Sequence, residues 1–126
     1  PQERLAHIVD RAKKTPPLPD EERTEANRVR GCISVVWLAG ELRDGRCIFR
    51  GDAESPTVRG LLVFYCEFFS GHTPAEILRS DADPLEGLDL MRNLSPTRRN
   101  GLASALARIR EFARAAAAGA ETKPLA

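Results

Sequence analysis

The sequence predicts an α+β fold, a single domain in which a small antiparallel sheet of about three strands is flanked by helices. Three observations predict it. The run ISVVWL at 33–38 is rich in β-branched and aromatic residues, which favour strands. Asp44-Gly45 sits between GELR and RCIF and is a strong two-residue hairpin signal. Around these, several segments repeat apolar residues at helical spacing and open with capping residues. A chain of 126 residues is long enough for one core and short for two ordinary domains.

Taken in order, ERLAHIVDRAKK carries Leu5, Ile8 and Val9 at helical spacing and reads as an amphipathic helix. It stops at Thr15-Pro16-Pro17-Leu18-Pro19, where three prolines impose an extended linker. DEERTEA follows as a polar turn or short helix. A brief NRV, then Gly31 and Cys32, lead into the first long strand, and the Asp44-Gly45 turn pairs Arg43 with Arg46 and Leu42 with Cys47. By alternation Cys47 and Phe49 share a face with Val36, Leu38 and Leu42, while Ile33, Val35 and Trp37 take the other, so both faces call for cover.

Ser55-Pro56 places a capping residue before a proline at the first helical position. The helix behind it carries Val58, Leu61, Leu62, Tyr65 and Phe69 on one stripe, widened by Phe64 and Phe68 until it reads as central, and it ends at Gly71. Thr73-Pro74-Ala75-Glu76 is a capping box opening a short helix. DPLEGLDLM reads as a further short helix or turn. Ser95-Pro96 starts the last helix, with Leu102, Leu106, Ile109 and Ala113 on its buried side. The domain is expected over 1–118, with a frayed tail at 119–126.

Composition narrows the function. Apolar residues make up 42% and charged residues 29%, a globular balance, and no run approaches the roughly 18 apolar residues of a membrane span. Nineteen basic against 18 acidic side chains leave no global field for nucleic acid or an anionic membrane. The opening PQERLAHIVDRAKK, which lacks an initiator Met, does not read as a secretory signal. Three widely spaced cysteines and no CxxC pair argue against a disulfide framework and for a reducing cytoplasm. No phosphate-cradling glycine motif occurs.

The cysteines separate by placement. Cys47 and Cys66 fall within apolar patterns and read as packing. Cys32 falls at the tip of a tight turn behind Gly31, with Arg28 and Arg30 as cationic neighbours that favour its thiolate, the reactive form. His7 and His72 are distant in sequence and read as surface or helix-flanking residues, so a Cys-His hydrolase is disfavoured. A persulfide carrier asks for less: an accessible thiolate on a loop that can enter another protein's pocket.

PPLPDEERTEANRVRGCISVVWL, then RGDAESPTVRGLLVFY, SGHTPAEIL and NLSPTRRNGLASALARIR, resemble the SufE family of sulfur-acceptor proteins, in family order over nearly the whole chain. The resemblance implies a SufE/IscU-like fold and a job: binding a pyridoxal-phosphate (PLP)-dependent cysteine desulfurase of the SufS or CsdA kind, stimulating it, accepting its persulfide sulfur, and passing that sulfur to an iron–sulfur scaffold of the SufBCD kind. It implies no cofactor or metal held by this chain, and no nucleic-acid or membrane partner. The family's acceptor falls on Cys32, with Gly31, Ser34, Val36 and Trp37 matching and Arg30 beside it. The arginine of its LSPSR-type motif, associated with desulfurase contact, falls on Arg98. An acidic residue after its Gly-Asp pair, tied to acceptor-loop conformation, falls on Glu54. Ile33 and Val35 depart from commonly polar positions, which predicts a greasier rim, suited either to a different complementary surface or to a resting thiol tucked inward. Two rivals stand beside this reading: a metal-binding scaffold module using Cys32, Cys47, Cys66 and His72, and an interaction domain of the same shape without sulfur transfer.

Overall fold

The computed structural model describes residues 2–29, 35–79, 82–86 and 94–119. Helix α1 runs Gln2–Ala12, and the three prolines that follow carry the chain past a single 3-10 turn at Asp20–Glu22. Strands β1 (Val36–Arg43) and β2 (Arg46–Ala53) form an antiparallel pair, followed by α2 (Pro56–Phe69), the short α3 (Pro74–Leu78) and α4 (Pro96–Ala117). This is the expected α+β arrangement with one correction. Among the described residues the sheet has two strands rather than about three, and NRV pairs with β1 only through an isolated bridge between Arg28 and Trp37.

The hairpin forms in the predicted register, Arg43 opposite Arg46 and Leu42 opposite Cys47. Asp44 and Gly45 both take positive φ, 51° and 79°, the backbone that matches a two-residue turn to the twist of its strands. Strand alternation then sorts the side chains. Val36, Leu38, Cys47 and Phe49 are buried on the face covered by α2 and α4, and Phe112 of α4 meets Phe49 edge to face, ring centroids 5.5 Å apart. On the opposite face Trp37 is half-buried, with the Arg23 guanidinium 5.1 Å from its ring centroid.

The outer edge of β2 is closed by the chain that leaves α2. The Cys47 N–H donates to the His72 carbonyl and the Gly71 N–H to the Cys47 carbonyl, each 2.8 Å, while the Phe49 N–H donates to Ser70 Oγ at 2.9 Å. These bonds leave less open edge for unwanted pairing.

The starts of α2, α3 and α4 carry their expected caps. Ser55, Thr73 and Ser95 accept from the backbone N–H three residues on, and Glu76 returns the bond to Thr73 to complete the capping box. Along α2 the stripe Val58, Leu61, Leu62, Tyr65 and Phe69 is buried, but Phe68 is 51% exposed and stacks on half-buried Phe64, so this helix is not enclosed on all sides. Leu102, Leu106, Ile109 and Ala113 of α4 are buried as the spacing predicts. Of DPLEGLDLM, 83–86 form a turn and 87–91 lie outside the described residues. The tail 120–126 lies outside them too.

Candidate functional site

A strand-like stem lies along the outer edge of β1. The Val29 N–H donates to the Val36 carbonyl and the Leu38 N–H to the Asn27 carbonyl, both 2.8 Å, flanking the Arg28–Trp37 bridge. Asn27 is buried, and its Nδ2 donates to the Glu22 carbonyl at 2.8 Å. On the other edge of β1 the ladder with β2 extends one pair further, where the Glu54 N–H donates to the Val35 carbonyl at 3.2 Å. The chain therefore leaves the described structure at Val29 and re-enters it at Val35, and both ends are fixed by backbone hydrogen bonds. Arg30, Gly31, Cys32, Ile33 and Ser34, among them the predicted acceptor and its neighbours, lie outside the described residues.

Two predicted site residues are described. Glu54 is exposed at the bend after β2, and its backbone bond to Val35 places it at the returning end of the Cys32 segment. Arg98 is exposed in the first turn of α4; its N–H donates to Ser95 Oγ at 3.3 Å, and its guanidinium has no partner among the described residues. That turn holds Arg98 and Arg99 and no acidic residue. Cations beside the positive end of a helix dipole cost about 0.3–1 kcal/mol each, so this turn is not arranged for helix stability. No hydrogen bond or ion pair joins Arg98 to Glu54 among the described residues.

The other two cysteines are packed away. Cys47 is 0% exposed, and burial pushes its thiol up from the usual cysteine value. Burial, with Glu67 adding to it, pushes the Cys66 thiol up to about 12. Both are therefore thiols rather than thiolates near neutral pH. His72 shares a backbone bridge with Cys47, yet the Cys47 side chain is buried while that of His72 is half-exposed. Among the described residues no group of three or more His, Cys, Asp or Glu is placed to hold a metal ion.

Sequence reasoning missed the charged hub that braces this region. Asp52, 3% exposed, accepts at one oxygen from the Leu18 N–H (3.0 Å) and Arg23 Nη2 (2.7 Å), and at the other from the Ala53 N–H and Arg59 Nε, each 2.8 Å. Arg59 also donates to the carbonyls of Ala12 (2.7 Å) and Thr15 (2.9 Å), so one carboxylate ties the proline linker, the Arg23 turn, β2 and α2 together. Burial alone would raise the Asp52 carboxyl; the two backbone donors and Arg59 outweigh it and hold the group below its ordinary range. In the sequence Asp52 stood only as the acid of the Gly-Asp pair, and its partners lie 34, 29 and 7 residues away.

Comparison with known proteins agrees with this architecture. A solution structure of a hypothetical protein from Thermus thermophilus superposes with a TM-score of 0.69 over 93% of this chain and 86% of that one, at 24% identity, a likeness of fold. An uncharacterized SufE-like protein of Synechocystis sp. is 34% identical over 80% of this chain, which spans 64% of that protein's length. Uncharacterized SufE-like proteins of Rhizobium meliloti and Rhizobium etli are 36% and 37% identical over 89% and 93% of this chain, and over 84% and 82% of their own lengths. No described helix is long and apolar enough to cross a membrane. The family model described as SufE, Fe-S metabolism associated domain, matches residues 1–113, and the chain belongs to the SufE family.

Proposed function

We propose that this protein is a cytoplasmic sulfur carrier. It takes persulfide sulfur from a PLP-dependent cysteine desulfurase onto Cys32, stimulates that enzyme by clearing its active cysteine, and delivers the sulfur for iron–sulfur cluster assembly. The Cys32 thiolate attacks the outer sulfur of the desulfurase persulfide. A new S–S bond forms to Cys32 as the old one breaks, and the desulfurase cysteine leaves as a thiolate, so no oxidant or reductant is consumed. Arg98 and the start of α4 contribute to the docking face, and Glu54 supports the returning end of the acceptor segment.

One observation carries the reading. Of the three cysteines in a member of the SufE family, two are buried with raised pKa values, which leaves Cys32 as the thiol for the chemistry. Backbone hydrogen bonds at Val29 and Val35 support it further, because they give the Cys32 segment fixed points of attachment. The test is a desulfurase assay with the Cys32→Ser protein. Stimulation is expected to disappear while binding to the desulfurase persists. Undiminished stimulation would favour the interaction domain without sulfur transfer.

A further inference from the structure

The stem that leads into residues 30–34 is held on two sides. On one side the Asn27 carbonyl and the Val29 N–H pair with β1, each at 2.8 Å. The carbonyls on either side of Asn27, those of Ala26 and Arg28, are taken up instead by Arg108 of α4. Its Nη1 donates to the Arg28 carbonyl at 2.7 Å and its Nη2 to the Ala26 carbonyl. The two nitrogens of one planar guanidinium thus bridge two backbone acceptors and stand where a further strand would otherwise supply N–H groups. The bonds join residues 80 and 82 positions apart, so no local preference produces them.

The helix that carries Arg108 also carries Arg98, ten residues earlier. A continuous α-helix rises about 1.5 Å per residue, so the two lie about 15 Å apart along a rigid rod. α4 is helical without interruption between them. Anything that docks on the first turn of α4 is therefore held at a set distance from the stem, provided Arg108 keeps the stem attached to that helix.

We propose that Arg108 is a positioning residue for sulfur transfer: by bridging the Ala26 and Arg28 carbonyls it fixes the stem of the Cys32 segment to the helix that carries Arg98. The inference rests on the sulfur-carrier reading, and its first readout does not depend on that reading. Hydrogen bonds from a charged donor are strong enough to change a local opening equilibrium about tenfold or more. Amide exchange in Arg108→Ala is expected to quicken at Val29 and Leu38 by about that factor, with exchange at buried α2 amides and the melting temperature little changed. In the desulfurase assay the maximal stimulation falls while the half-saturating concentration stays within about twofold, because docking is retained and presentation is lost. Arg108→Lys recovers part of both, since an ammonium lacks the planar fork but can still hold a carbonyl.

Unchanged protection at Val29 and Leu38 overturns the proposal. So does faster exchange accompanied by full stimulation, which would reduce Arg108 to a structural brace. Should the unmodified protein stimulate no desulfurase, the sulfur-carrier reading fails and the transfer role of Arg108 falls with it; exchange at the two amides then shows whether Arg108 fixes the stem.

Discussion

Replacing Asp52 by Asn changes one atom and should cost about as much as a core truncation. The carboxylate accepts four hydrogen bonds, two at each oxygen. An amide of the same shape must turn its NH₂ toward one pair of donors, either Leu18 N–H and Arg23 or Ala53 N–H and Arg59. It then loses two charge-assisted bonds, and one pair of donors faces another donor. Removing one partner from a buried ion pair costs about 3–5 kcal/mol. The Arg23 and Arg59 side chains are 35% and 17% exposed, so Arg23 has room to turn to water and the lower end applies, about 3 kcal/mol. For a chain of this size that corresponds to a fall in Tm of about 10 °C.

The assay is urea unfolding of both proteins between pH 3 and 8. Because the folded Asp52 carboxyl lies below its unfolded value, its contribution is fully present above about pH 4 and is lost as pH falls through the folded value. The difference between the two proteins should therefore be level from pH 5 to 8 and shrink toward pH 3. A loss below about 1 kcal/mol, or a difference that grows as pH falls, would refute the hub.

Two further outcomes follow from packing. In the Cys32→Ser protein the remaining thiols are Cys47, 0% exposed with its thiol pushed up by burial, and Cys66, whose pKa of about 12 leaves only about one part in 10⁴ as thiolate at pH 8, so Ellman's reagent should leave both unreacted until guanidinium unfolds the chain. Rapid colour from the folded protein would show that one of them is accessible. At Gly60 an added Cβ would stand 2.9 Å from Val9 Cα, and α1 must move off α2 to admit it. Gly60→Ala should lower stability by about 1–2 kcal/mol in urea unfolding, despite the better helix propensity of alanine, and a gain would mean that the two helices are not in close contact.

Much of the fold was legible because its signals are local. The Asp44-Gly45 turn, the Ser55-Pro56 and Ser95-Pro96 starts and the Thr73–Glu76 box each depend on residues within four positions, and each forms as the sequence implies. Alternation placed Cys47 and Phe49 on the covered face for the same reason. Less legible were the contacts fixed only by tertiary packing. Phe68 continues the apolar pattern of α2 yet faces solvent, because nothing in periodicity says where α1 ends its cover. The roles of Asp52 and Arg108 went unread, since their partners lie on distant segments and include backbone groups that carry no residue identity. NRV meets β1 in a single bridge, and its outward-facing Arg28 carbonyl is taken by a helix-borne arginine that no local pattern announces. Within the candidate site, motif resemblance pointed to Glu54 and Arg98; the fold adds the backbone bond that joins Glu54 to Val35.

The central claim is that Cys32 alone takes up sulfur. Incubating the unmodified protein with a cysteine desulfurase and sulfur-labelled cysteine, blocking free thiols, and mapping peptides by mass spectrometry tests it directly. The account predicts the mass of one added sulfur atom on the peptide containing Cys32, and none on those containing Cys47 or Cys66. Label on Cys47 or Cys66, or on no cysteine at all, would contradict it.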